Sequence, residues 1–481
     1  MTIHFGTDGW RAVIGDEFTF ENVRSVAQAI ADYLKQSPEH DLGNRLAVVG
    51  FDTRFLSDRF AIAVSEVLAG NDLRVILSRA DCPTPVVSYA IKALQARAGI
   101  MITASHNPPR YSGIKLKAPT GASAPTSETK HVENFLARNR QAGRVPQVRP
   151  YEEALASGAV KRMNFFPLYF DHIQSLLELR SIGGAEWRVV VDPMYGAGRG
   201  YLRSILTAAG CEVLEIRGEL NPGFGGIHPE PIEKYLAALI AAVRDHHSDI
   251  GLATDGDADR IGTVDAAGNF VDPHLIFALV LRYLLQDRGL RGAVVKTIST
   301  TQMVNILAER YNLPLYETPV GFNHIADLME ANDVLIGGEE SGGITIRGHV
   351  PMGDGILMGL LLLEIMSKHH QPLHALVEDL LAELGPFYYA RRDLRTEPFS
   401  KTELVRRLLE EAPSEIAGQR ITSVNDRDGV KYYLDDGAWL LIRPSGTEPV
   451  LRVYAEGRSR AQVAELLTRG VALSNEKRGE S

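Results

Sequence analysis

The chain has 481 residues, 45% of them hydrophobic and 23% charged, a globular composition that excludes intrinsic disorder and can fill several cores. At ~150 residues per domain this length gives roughly three domains. The net charge of -9 argues against a dedicated nucleic-acid binder, which carries a basic footprint, but leaves room for a basic pocket that takes anionic substrates.

Two cysteines, Cys82 and Cys211, exclude a disulfide scaffold and a four-thiolate zinc site, and they fit a reducing compartment. The opening MTIHFGTDGWRAVIGDEF has no cationic start before an apolar stretch, so no secretory signal is expected. Residues 19–34 place Val23, Val26, Ala27, Ile30 and Leu34 at helical spacing, with Thr19 as N-cap. Strands are predicted at 46–49, 75–77 and 99–103. After Pro146 and Pro150 the pattern restarts, with strands at 188–191, 213–216 and 250–254 and helices at 201–209 and 232–244. A third set of strands falls at 293–296, 315–317 and 334–336. The run GILMGLLLLEIM, 355–366, includes Glu364 and is too short for a bilayer, which needs ~20 residues; it reads as a buried helix. Strands at 430–434, 438–442 and 450–455 look antiparallel, and a helix at 460–471 closes the chain. Alternating strands and helices mean α/β domains, here followed by a smaller α+β domain. The three α/β segments are expected to be topological copies, in a soluble, cytoplasmic protein.

Four polar loops follow apolar strands: ITASHNPPRYSGIK (102–115), TDGDADR (254–260), GGEESGG (337–343) and RPSGTEP (443–449). Ligands of open α/β sheets gather beyond strand carboxyl ends, so the loops are expected to share one cleft. Asp255, Asp257 and Asp259 alternate, which in extended backbone puts three carboxylates on one side. Such a trio calls for a hard divalent cation. An EF-hand is excluded, because Arg260 occupies the turn glycine's place and Ala266 that of the bidentate glutamate. The open positions suit Mg²⁺ shared with a phosphate. Ser105 lacks the G-x-S-x-G setting of a hydrolase nucleophile. Phosphorylated, it would add an oxygen ligand to the metal, with Lys115 and Arg260 stabilising the transferred phosphoryl group. Arg443, Ser445, Gly446 and Thr447 have the composition of a phosphate loop. Glu339 and Ser341 offer acceptors to sugar hydroxyls.

Other features point away from alternative chemistries. Gly196, Gly198 and Gly200 lack dinucleotide spacing, and no Gly-Lys pair exists for a P-loop. Pro372 interrupts His369, His370 and His374, which read as a surface cluster, and His246 and His247 as a helix end.

Together these motifs resemble the α-D-phosphohexomutase family of phosphoglucomutases and phosphomannomutases, in order and over essentially the whole chain. GTDGWR at 6–11 is similar to the family's N-terminal arginine motif and carries Arg11. TASHNP resembles the phosphoserine loop, DGDADR the metal loop, GEESG the sugar loop and RPSGTEP the phosphate loop. The resemblance implies three topologically similar α/β domains and a C-terminal α+β, TATA-binding-protein-like domain around a central cleft, heart-shaped overall. The segments are then 1–149, 150–269, 270–384 and 385–481, four domains rather than three. It implies phosphoryl transfer from Ser105 to a hexose 1-phosphate, through a 1,6-bisphosphate that turns over within the cleft. Mg²⁺ would sit on Ser105, Asp255, Asp257 and Asp259, with glucose 1,6-bisphosphate as intermediate and activator. Arg11, His106, Lys115 and Arg260 would assist catalysis. Glu339, Ser341, Lys296, Arg443, Ser445, Gly446 and Thr447 would bind substrate.

The chain departs from the family in places. Gly343 stands where many bacterial relatives carry histidine, so Lys115, His106 or an inward-reaching His349 must act as base. Asn323 replaces a lysine and Ser112 an asparagine common in relatives. Glu340 resembles glucose-preferring mutases, which favours glucose phosphates over mannose or glucosamine phosphates. The rival readings are a glucose-1,6-bisphosphate synthase, a dual-specificity phosphomannomutase, a non-catalytic sugar-phosphate sensor and a metal-dependent phosphatase. Partners are small hexose phosphates, with no nucleic acid and no membrane; the sequence sets no oligomeric state. A hinge is expected near 384–386.

Overall fold

Buried β-branched runs form the centre of two sheets, and polar hairpins close one side of each. The computed structural model describes residues 3–6, 8–36, 44–397, 399–445 and 450–475. The chain divides into two units, Met1–Ile276 with Gly321–His374, and Phe277–Val320 with Ala375–Ser481.

In the first unit a six-stranded sheet runs in the order Trp10–Val13, Tyr111–Lys117, Ala98–Ile102, Leu46–Phe51, Arg74–Ser78, Val160–Met163. The last four strands are parallel, and the first two are antiparallel to their neighbours. A five-stranded sheet repeats the plan in the order Phe270–Val271, Ile261–Asp265, Ile250–Thr254, Arg188–Asp192, Glu212–Glu215. It too has a parallel centre and an antiparallel hairpin on one side. Ala98–Ile102 and Ile250–Thr254 are buried throughout, as strands covered on both faces must be. The hairpin Val334–Gly338/Ile344–Ile346 lies in the same unit. Its counterpart, the parallel pair Ala293–Thr297/Leu315–Thr318, lies in the second.

The apolar run becomes the helix Gly355–His369, buried from Gly355 to Ser367. Asp354 caps it by accepting from Leu357 N at 2.9 Å. Buried Glu364 accepts from Glu178 N at 3.1 Å. Thr19 caps Phe20–Gln36, accepting from Asn22 N at 3.2 Å.

The second unit ends in an antiparallel sheet, in the order Tyr388–Arg395, Val450–Gly457, Trp439–Pro444, Val430–Leu434, Gln419–Asn425, Glu415–Ile416. Val463, Leu466 and Leu467 of the helix Arg460–Asn475 pack in its core with Leu440, Ile442 and Val453.

The elements differ from the sequence reading in several places; residues 111–115, read as part of a polar loop, lie in the strand Tyr111–Lys117. The helix expected over 232–244 is a 3₁₀ turn, Glu233–Tyr235, followed by the helix Ala237–Asp245. Ile232, just after Pro231, is extended, and Leu236 breaks the helical φ/ψ. Tyr388–Arg395, largely exposed and rich in arginine, is a strand that shows no apolar alternation. Trp10–Val13 is an unforeseen edge strand. Among the described residues, no helix is long and apolar enough to cross a membrane.

Candidate active site

The loops after Ile102, Thr254 and Gly338 each connect two antiparallel strands, and the strands Trp439–Pro444 and Val450–Gly457 that flank the fourth are antiparallel too. Ser105 lies in the first, in a left-handed conformation (φ 50°) that few non-glycine residues adopt. Its N–H donates to Thr103 Oγ1 at 2.9 Å. Its hydroxyl donates to Asp255 Oδ2 at 2.9 Å and lies 3.4 Å from His106 Nδ1.

The loop 254–260 does not use extended alternation. It turns tightly through Ala258 (φ 58°), whose N–H donates to the Asp255 carbonyl at 3.1 Å. The turn gathers the carboxylates: one oxygen from each of Asp255, Asp257 and Asp259 lies within 4.8 Å of the others, and all three residues are buried. Gly256 permits the approach to the first loop, since a Cβ there would stand 2.4 Å from the Ser105 carbonyl oxygen.

Lys115 Nζ reaches Asp8 at 2.7 Å, Asp257 at 2.9 Å and Asp259 at 3.2 Å. Burial alone would lower its pKa, but Asp257, Asp8 and Asp259 outweigh it and keep the ammonium charged. Burial would raise Asp257, yet Lys115 and the Thr84 hydroxyl, donating at 2.6 Å, hold it well below the usual carboxylate range. Asp255 is pushed well up by burial and then by Asp259 and Asp257, and Asp259 is raised by burial and Asp257. Burial, with Arg260 and Arg11, drives His106 well below its ordinary value, so its imidazole is neutral. Arg11 is placed by Asn107 Oδ1 at 2.6 Å and Asp8 at 3.1 Å. Arg260 lies 3.9 Å from both Glu230 and Asp259, and its backbone N–H donates to Asp255 Oδ1 at 3.2 Å.

The donor set suits a hard cation. Three buried carboxylates crowd together, and Asp257 Oδ1 has no hydrogen-bond partner among the described residues.

The loop 337–343 joins this group through Ile261 N, which donates to the Gly342 carbonyl at 3.2 Å. Glu339 accepts from Gly321 N at 2.9 Å and from Ser341 Oγ at 3.2 Å. Burial and Glu340 push its pKa up to about 7. His349 is occupied elsewhere: Nδ1 is 2.9 Å from His172 Nε2, and Nε2 is 2.9 Å from Asp354. Ser112 is buried, as is Asn323, at the start of the helix Phe322–Ala331.

In the second unit Arg443 Nε donates to Asp428 at 2.6 Å, and Ser445 N donates to the Val450 carbonyl at 2.8 Å. Gly446 and Thr447 lie outside the described residues. Lys296 is fully buried, with Nζ donating to the carbonyls of Thr300 (3.1 Å) and Thr301 (2.9 Å).

Asp8, Arg54, Thr84 and Asn107 escaped the sequence reading as site residues. Asp8 and Asn107 lie inside motifs already singled out. Arg54 had a signal of its own, the polar Asp52-Thr53-Arg54 directly after the apolar LAVVGF. Thr84 had none: it opens an ordinary helix, Thr84–Ala93.

A serine hydroxyl bonded into a buried carboxylate triad, beside a buried lysine, equips an α/β protein for metal-assisted group transfer at a hydroxyl. The sequence matches all four phosphoglucomutase/phosphomannomutase domain families: alpha/beta/alpha domain I over 2–143, II over 167–268, III over 272–384 and the C-terminal domain over 401–471. It is 30% identical to a phosphoglucomutase/phosphomannomutase of Thermococcus kodakarensis, over 98% of each chain. It is 31% identical to a phosphoglucomutase of Komagataeibacter xylinus, over 94% of this chain and 87% of that one. A protein of Methanothermobacter thermautotrophicus, provisionally assigned as a phosphoglucosamine mutase, is 32% identical over 97% of each. Among solved structures, one from Thermus thermophilus, provisionally assigned as a phosphomannomutase, superposes with a TM-score of 0.85 at 35% identity, covering 98% of this chain and 99% of that one. The chain belongs to the phosphoglucomutase/phosphomannomutase family of α-D-phosphohexomutases.

Proposed function

We propose that this enzyme interconverts glucose 1-phosphate and glucose 6-phosphate through phospho-Ser105 and glucose 1,6-bisphosphate. The observation that carries the reading is the Ser105 hydroxyl, 2.9 Å from Asp255 within the buried triad.

In the first half-reaction the bond from phosphorus to Ser105 Oγ breaks as a bond to the sugar hydroxyl oxygen forms. The hydroxyl proton passes to neutral His106 and on to Ser105 Oγ. In the second half-reaction the other phosphate of the bisphosphate returns to Ser105, and the serine proton moves back by the same route. Lys115 stays charged and, with Arg260, steadies the phosphoryl oxygens. Asp255, Asp257 and Asp259 would hold Mg²⁺, which when bound neutralises charge on the transferring group. Glu339 and Ser341 read sugar hydroxyls, and Arg443, Ser445, Gly446 and Thr447 take the phosphate that is not reacting. Glu340 supports the glucose preference.

The test is conversion of glucose 1-phosphate to glucose 6-phosphate with Mg²⁺ and trace glucose 1,6-bisphosphate, beside the mannose and glucosamine analogues. Fast turnover of the glucose substrate that stops under chelation is expected. Faster turnover of either analogue would overturn the glucose assignment. Net release of bisphosphate exceeding 6-phosphate formation would favour the synthase, a reading that the bare Gly343 motivates.

A further inference from the structure

Arg54 follows the strand Leu46–Phe51, and its side chain is wholly buried. Nη2 donates to the carbonyls of Ser105 and Asn107, each at 2.6 Å. Nη1 donates to those of Pro108 at 2.8 Å and Tyr111 at 2.9 Å. The two terminal nitrogens therefore grip four carbonyls, all from the segment that carries the nucleophile. On the opposite side Nε lies 3.1 Å from Asp52. Asp52 Oδ1 in turn accepts from Ser57 Oγ at 2.7 Å and Arg54 N at 2.9 Å. The Phe224 ring covers the guanidinium, with its centroid 4.9 Å from the central carbon.

We propose that Arg54 is the positioning residue of the phosphoryl-transfer loop: its guanidinium fixes the carbonyls of residues 105–111 and so sets the aim of the Ser105 hydroxyl. The proposal rests on the reading of Ser105 as the phosphoryl carrier. The Ser105 carbonyl is wedged between Arg54 Nη2 and Gly256 Cα, where even a methyl group would collide. With that carbonyl pinned and the φ angle left-handed, the hydroxyl stays on the Asp255 side of the loop. A lysine would keep the charge but offer three donors from one point, which cannot span four carbonyls held by a planar fork. The loop carbonyls released would be buried and poorly paired, so the loop would drift.

Arg54→Lys is the first test, because it keeps the charge and most of the volume and so favours folding. A displacement of about 1 Å at a reacting group costs on the order of 10²-fold. The expected result is therefore a fall in kcat of about 100-fold with KM changed less than about threefold. Amide exchange should quicken across residues 103–111 and stay unchanged in the helix Arg460–Asn475. In Arg54→Ala, added guanidinium ion should restore part of kcat, whereas an alkylammonium ion should not. Wild-type kcat and loop exchange in Arg54→Lys would overturn the proposal, as would a loss confined to KM. The exchange measurement needs no substrate. If the wild-type enzyme turned over no hexose phosphate, the mutase reading would fail, and loop exchange would still judge Arg54.

Discussion

Each unit buries a cluster of charged groups, and the two clusters are balanced differently. In the first unit Asp8, Asp257 and Asp259 surround the ammonium of Lys115, Asp255 stands beside them, and Arg11 and Arg260 lie 3.1 Å from Asp8 and 3.9 Å from Asp259. In the second, Lys296 and Lys431 face Glu317, at 3.6 and 3.3 Å, within the field of Glu456. That second cluster is closed by the protein itself. Lys431 donates to the Ile298 carbonyl at 2.6 Å and lies over the Trp439 ring, while Tyr433 donates to Glu317 at 2.8 Å. In the first cluster, cations stand among the carboxylates, but Asp257 Oδ1 has no hydrogen-bond partner among the described residues. Buried charge that is self-satisfied serves the fold, whereas a buried carboxylate oxygen left without a partner is suited to a ligand.

The comparison breaks most sharply at Ser105. Ser105→Ala should lower mutase turnover by at least about a thousandfold while the melting curve stays cooperative, because it removes the hydroxyl proposed to carry the phosphoryl group. Retention of wild-type turnover would remove the chemistry from the first cluster. Next comes Lys115→Met, which leaves the carboxylates without their ammonium and should cost about 10²–10⁴ in turnover. Equal losses in Lys115→Met and Lys431→Met would mean that the two clusters do not differ in kind.

Metal should act on the first cluster alone. Asp255 has a raised pKa, so the metal-free protein loses stability as pH rises through that value, and a bound cation offsets the loss. Mg²⁺ at a hundred times its Kd should stabilise the fold by about 2.7 kcal/mol, and Asp255→Asn should abolish the gain. Thermal melts with and without chelator would read it.

The second cluster predicts a pH slope. Burial and then Lys296 lower Lys431 from 10.5 to about 7, so between those values the unfolded chain binds more protons. Stability should therefore rise as pH climbs through that window. Lys431→Met should flatten the slope in urea unfolding at pH 7 and 9 and leave turnover within a factor of a few. The smallest effect is at a helix end. Thr19→Ala should cost about 0.5–2 kcal/mol and leave both clusters unaltered, as chemical denaturation would show.

Much of the site was written in consecutive residues. Hairpin loops carry their chemistry in one short stretch, so Ser105, the three aspartates and Glu339 stood out by composition. The central strands stood out because burial on both faces demands unbroken apolar runs. The edge strand Tyr388–Arg395 stayed hidden, since exposure relaxes that demand. Thr84 stayed hidden for another reason: its partner is 173 residues away, and such a pairing leaves no local trace.

By itself, the sequence determined the α/β character, the family and a set of residue types suited to a phosphoryl group, because those follow from short-range pattern and side-chain chemistry. Only the tertiary structure decided which charges face one another. The left-handed turns at Ser105 and Ala258 and the glycine contact at Gly256 press two loops 150 residues apart into one buried cluster. There a low dielectric makes proximity govern charge. The same kind of carboxylate is held ionised at Asp257 and pushed toward its proton at Asp255.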